Sequence, residues 1–159
     1  MKYLKHAHGI LLALCLLSLP AVNGCLTGSD SGAGGGISAG TYDDGFLEND
    51  GDFVYKEQTT FGADGKYTFL DYEIYKDTVI TSYTKNTGTW SQSGSTLTIT
   101  ENHHSYHTTF QGESNEDANI SPAQTVSLQV SNMTDSSFTA TNGSHSVNYT
   151  KTTAVTLKF

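Results

Sequence analysis

Three histidines fall within five residues, in Asn102-His103-His104-Ser105-Tyr106-His107. On a strand, side chains alternate, so His103, Ser105 and His107 share one face and His104 and Tyr106 the other. Positions four apart on a strand are separated by roughly 13 Å. A single zinc ion holds its ligands at about 2 Å, so only a bulge or turn would converge these rings. Without a paired motif such as H-E-x-x-H or C-x-x-C, the segment reads as a polar hairpin tip, and no metal or cofactor is expected. Carboxylates offer a second chemistry. Asp71 and Glu73 share a strand face with Tyr67, Phe69 and Tyr75. Pointing inward, the two acids would act as acid and base or hold a polar ligand between aromatic walls. Pointing outward, with Leu70, Tyr72 and Ile74 inside, they are simply hydrated, and this is the simpler arrangement.

Other chemistries find less support. Glu48-Asn49-Asp50-Gly51-Asp52 is rich in oxygen but lacks the alternating frame and closing Glu of a calcium loop, and reads as a solvated turn. No G-x-S-x-G elbow occurs, and no Gly-rich loop opens a helix. The chain is therefore expected not to be an enzyme. The best non-catalytic lead is aromatic: Tyr55, Tyr67, Tyr72, Tyr75 and Tyr83 cluster in one region, with the single tryptophan, Trp90, close behind. Such side chains fill cores or line the mouth of a pocket. Tyr67, Phe69, Asp71, Glu73, Tyr75 and Trp90 are the candidate ligand-binding set.

These side chains must be carried by strands. After residue 40, short runs rich in Thr, Val, Tyr and Phe alternate with Gly, Asn, Asp and Ser, and no stretch keeps helical spacing for three turns. Strands are expected at 52–61, 66–75, 78–84, 88–92, 95–101, 104–111, 125–131, 136–141, 145–150 and 154–159. Turns are expected at Gly62–Gly65, Lys85–Gly88, Ser93-Gly94 and Asn142-Gly143, with a polar loop at 112–124 closed by Pro122. Eight to ten short antiparallel strands joined by tight turns imply an all-β domain over 41–159. An up-and-down barrel removes its edges by closure; a two-sheet β-sandwich is the alternative.

The amino-terminal residues carry a different message. Lys2 and Lys5 precede the apolar run Gly9–Leu19, which is too short to span a bilayer and suits an export signal over 1–24. Val22-Asn23-Gly24-Cys25 resembles the bacterial lipobox. That resemblance implies cleavage before Cys25, a diacylglyceryl group on its sulfur, a palmitate-type anchor, and a place in the cell envelope. With Leu26 rather than Asp next, the outer membrane is favoured. Residues 25–40 read as the lipidated cysteine and a flexible Gly/Ser tether spanning roughly 20 Å. Because Cys15 falls in the signal, Cys25 has no partner for an intrachain disulfide. Cleavage there leaves six lysines and no arginine against sixteen acids, a net charge of −10. Nucleic acid is thereby excluded as a partner, and the membrane is met through the lipid rather than a basic patch.

Two segments extend the resemblance to the domain. Thr60-Phe61-Gly62-Ala63-Asp64-Gly65-Lys66-Tyr67-Thr68-Phe69 resembles the F-x-x-DG-x-Y-x-F hairpin of bacterial lipocalin-like domains. Gly88-Thr89-Trp90-Ser91-Gln92-Ser93-Gly94-Ser95-Thr96-Leu97-Thr98-Ile99-Thr100 resembles their G-x-W-x-x-x-G-x-x-L-x-L-T hairpin. The resemblance implies a barrel more than an activity. Two functions follow: a membrane-anchored module holding a small apolar or glycan ligand, or a structural or protein-interaction module with a filled core.

Overall fold

The computed structural model describes residues 36–76, 79–109 and 113–157. The lipobox, Cys25 and the export signal lie outside the described residues. Within them run nine strands: β1 (Gly40–Asp43), β2 (Leu47–Asp50), β3 (Phe53–Phe61), β4 (Lys66–Tyr75), β5 (Val79–Ser93), β6 (Thr96–Thr108), β7 (Ser114–Ser131), β8 (Ser137–Asn142) and β9 (His145–Thr152). β3 to β9 form an antiparallel meander, and β1 closes it by pairing with β9 on one side and β3 on the other. The fold is thus a closed eight-stranded up-and-down barrel. β2 is an additional strand on the free part of β3. Closure through β1 is what separates this architecture from the two-sheet alternative, whose edges stay open.

The alternation of side chains explains the core. Phe61 on β3, Tyr67 and Phe69 on β4, Leu97 and Ile99 on β6, Leu128 and Val130 on β7, Phe138 and Ala140 on β8 and Tyr149 on β9 all turn inward. Burying each such side chain stabilises the fold by about 1.5–3 kcal/mol. The two hairpins with lipocalin-like patterns are stitched together. In the β3–β4 turn Gly62 N donates to Lys66 O at 2.7 Å, and Gly65 adopts φ 76°. Trp90 Nε1 then donates to Gly62 O at 2.9 Å, and Trp90 N to Gly65 O at 2.9 Å.

Several expected boundaries move. Lys85–Gly88 is not a turn: β5 runs straight through it and bulges between Thr87 and Gly88. A Cβ on Gly88 would lie 1.8 Å from Thr100 O, so the glycine serves the close approach of two strands rather than a chain reversal. Within the polar run 112–124, Ser114–Gln124 is not a loop either, because β7 begins at Ser114 and pairs with β6 as far as Thr108. Its residues are exposed on both faces, so no hydrophobic alternation marks the strand. β6 is likewise continuous, with a bulge between Glu101 and His103. Glu48–Asp50, read as part of a solvated turn over Glu48–Asp52, belongs with Leu47 to β2 and pairs with β3. Residues 153–157 form no final strand. They lie on the outside of β3, where Gln58 Nε2 donates to Thr153 O and Val155 N donates to Gln58 Oε1 at 3.2 and 3.0 Å. Phe159 falls outside the described residues. The tether also ends earlier than Gly40: Ile37 is buried, its N–H donates to Gln92 Oε1 at 2.8 Å, and the Tyr42 hydroxyl donates to Ser38 O at 2.6 Å.

Candidate functional site

Three regions bear on function: the apolar end of the interior, the acidic end of the interior, and the outer face of β5–β7. The apolar end lies against the Gly62–Gly65 and Ser93–Gly94 turns and is packed with rings. Phe61 meets Trp90 and Tyr42 edge-on at 5.1 and 5.9 Å, and Phe138 stacks on Tyr149 at 4.7 Å. The free space left is ≈ 20 Å³, bounded by Thr59, Tyr67, Phe69, Glu101 and Tyr149 among others. That is room for about one water molecule. Tyr67 and Phe69 are buried core residues here, and Trp90 packs half-buried against them.

Further along the same inner face the side chains become acidic. Asp71, Glu73 and Tyr75 continue the alternation of Tyr67 and Phe69, so both carboxylates are on the interior side, half-buried. The simpler arrangement, with Leu70, Tyr72 and Ile74 inside, does not occur. Leu70 and Tyr72 are nevertheless buried, on the outer face that Gln58 shares and that residues 153–157 overlie. β4 thus hides both its faces, and a rule that assigns one face to water does not apply to it.

Glu57 lies directly opposite Asp71, and Tyr55 opposite Glu73. Glu57 is only 3% exposed. Burial, then the neighbouring Asp44 and Asp71 carboxylates, push its carboxyl up to about 9, so it holds its proton at neutral pH. The Tyr55 hydroxyl, raised by burial and by its hydrogen bond with Glu73, stays neutral too. Thr81, the bulged residue of β5, donates its hydroxyl to Glu73 Oε1. Toward the apolar end, Asn86 Nδ2 donates to Glu101 Oε2 at 3.2 Å, and Asn86 Oδ1 meets His104 Nδ1 at 2.8 Å. Burial raises the Glu101 carboxyl against the opposing pull of Tyr67 and Asn86. Glu101 Oε1 is buried with no hydrogen-bond partner among the described residues, and Glu101 borders the ≈ 20 Å³ space. Glu57 and Glu101 were not among the residues that the sequence singled out. The period of two carries the signal: Glu57 follows from Thr59 and Phe61, and Glu101 from Leu97 and Ile99.

On the outer face, β5 and β6 stay in the barrel wall while the first half of β7 runs on past β8. β7 pairs with β8 only at Gln129–Ser131, leaving Ser114–Leu128 joined to β6 alone. Register places Tyr83, His107 and Asn115 in one row, Lys85, Ser105 and Asp117 in the next, and Thr87, His103 and Asn119 in the third. His103 Nε2 is 2.6 Å from Asp117 Oδ1. The His107 ring stacks on Tyr83 at 5.7 Å and its Nδ1 hydrogen-bonds Asn115 Oδ1. The expected sharing of a face by His103, Ser105 and His107 is thus observed. The rings take separate partners, and no group of three His, Cys, Asp or Glu among the described residues could hold a metal. Tyr83, Lys85, Thr87, His103, Ser105, Asn115 and Asp117 of these rows border a cleft of ≈ 470 Å³.

These features define an all-β barrel of the up-and-down class, apolar at one end of its interior, acid-lined at the other, with a polar outer face on β5–β7. No family model, no curated protein and no solved structure matches the chain.

Proposed function

We propose that the chain is a lipid-anchored envelope protein whose barrel is a filled scaffold, with its working surface outside the lumen. The lipobox-like Val22–Cys25 supports the anchor, as do the apolar leader before it and the Gly/Ser stretch after it. The observation that carries the scaffold reading is the ≈ 20 Å³ of space left at the apolar end of the interior, against the 300–1,000 Å³ or so of ordinary ligand pockets. Of the two functions open at the outset, this geometry favours the interaction module over a lumenal carrier of apolar ligands. Metabolic labelling with radioactive palmitate tests the anchor: the intact chain incorporates label and fractionates with membranes, and Cys25→Ala loses both. Label retained in Cys25→Ala would overturn the anchor.

A further inference from the structure

We infer that the cleft on the outer face of β5–β7 is a binding site for a neutral glycan. This rests on the reading that the working surface lies outside the lumen, and deepens it by naming the ligand class. The cleft's ≈ 470 Å³ is the size of a ligand pocket, whereas the ≈ 20 Å³ space at the apolar end of the interior is not. Its lining decides the chemistry. Lys85 supplies an ammonium, Asp117 a carboxylate, Asn115 an amide, and Thr87 and Ser105 hydroxyls, so donors and acceptors of both kinds point into one space. A sugar, whose hydroxyls both donate and accept, matches that mixture. An apolar ligand would strip water from these groups without replacing it. An anion such as phosphate would face Asp117 with no arginine to hold it, on a chain of net charge −8.

The site is also held in place. His103 fixes Asp117 across the strands at 2.6 Å, so the second carboxylate oxygen is oriented before a ligand arrives. His107, only 8% exposed, backs the half-buried Tyr83 ring and takes Asn115 as its partner, which positions an aromatic platform beside an amide. The bulges at Thr87/Gly88 and Glu101/His103 tighten the twist of the ribbon where the cleft lies. Aromatic stacking with flanking planar polar groups is an arrangement suited to a pyranose ring.

The test uses the full-length acylated chain in detergent, applied to an array of neutral gluco-, galacto-, manno- and N-acetylglucosaminyl tetrasaccharides. The strongest binder is then titrated by calorimetry. At least one tetrasaccharide is expected to bind saturably. Tyr83→Ala and Asp117→Asn should each weaken it by about tenfold or more, while Tyr83→Phe, which keeps the ring, should retain it. Thermal unfolding of each variant shows whether the barrel is intact, and Tyr83→Phe keeps the test decisive if Tyr83→Ala does not fold. No binding to any member of the array would overturn the site, as would binding that Asp117→Asn and Tyr83→Ala leave unchanged in folded protein. Those failures leave palmitate labelling and the filled interior untouched, so they are distinguishable from failure of the broader reading.

Discussion

The two ends of the barrel interior are built from the same strands by opposite rules. Toward the Gly62–Gly65 turn, β3 and β4 contribute Phe61, Tyr67 and Phe69, which pack against Leu97, Leu128 and Phe138. A few residues along the same inner faces, they contribute Tyr55, Glu57, Asp71 and Glu73. The first set gains stability by excluding water; in the second, the buried Glu57 carboxyl keeps its proton, and Glu73 takes hydrogen bonds from Tyr55 and Thr81. The difference teaches that rigidity comes from one end, while the other carries chemistry that pH can reach.

The comparison breaks most visibly at the apolar end. Phe61→Ala removes a fully buried ring that touches Tyr42, Trp90 and Phe138, and is expected to cost about 3–5 kcal/mol in urea unfolding. Gly88→Ala is next, at about 3 kcal/mol in the same assay, because its Cβ would meet the Thr100 carbonyl at 1.8 Å and the bulge would have to reform.

At the acidic end the sign depends on pH. The folded protein holds the Glu57 proton up to about pH 9, while an unfolded chain releases it near the ordinary value of 4.5. The stabilising contribution is therefore whole below pH 4.5 and is lost as pH rises through 9. Glu57→Gln, which keeps the shape of the protonated acid, should match the native protein near pH 4.5. At pH 8 it should be the more stable of the two, because by then the native protein has lost most of that contribution. Equal differences at both pH values would contradict protonation of Glu57. The smallest effect belongs to the outer ribbon. His103→Gln breaks a pair whose Asp117 side chain is 76% exposed, so thermal unfolding should shift by less than about 1 kcal/mol.

Much of the barrel is legible in the residues, and the reasons are local. Gly62–Gly65, Ser93-Gly94 and Asn142-Gly143 mark reversals because positive φ is needed there, at Gly65, Gly94 and Gly143. Leu97 and Ile99 between threonines reveal an inner and an outer face. Gly88 misleads because a bulge glycine and a turn glycine look alike in sequence; only the neighbouring strand tells them apart. Ser114–Gln124 misleads because a strand lying beyond the barrel has no face to bury. The placement of Asp71 and Glu73 goes with the burial of Leu70 and Tyr72 on the outer face, where the 153–157 segment bonds to Gln58, a contact between residues far apart in the chain. The His103–Asp117 and His107–Asn115 pairs depend in turn on the β6–β7 register.

Trp90 offers the most direct measurement of the central claim, that the interior is filled. It is the single tryptophan, half-buried against the core with its indole N–H on Gly62 O at 2.9 Å, so its emission reports on the apolar end. Titration with a saturated fatty acid, from octanoate to palmitate, is expected to leave that emission unchanged below the micelle threshold. A saturable change at micromolar ligand would show that the barrel opens to hold an apolar molecule, and would contradict a filled scaffold.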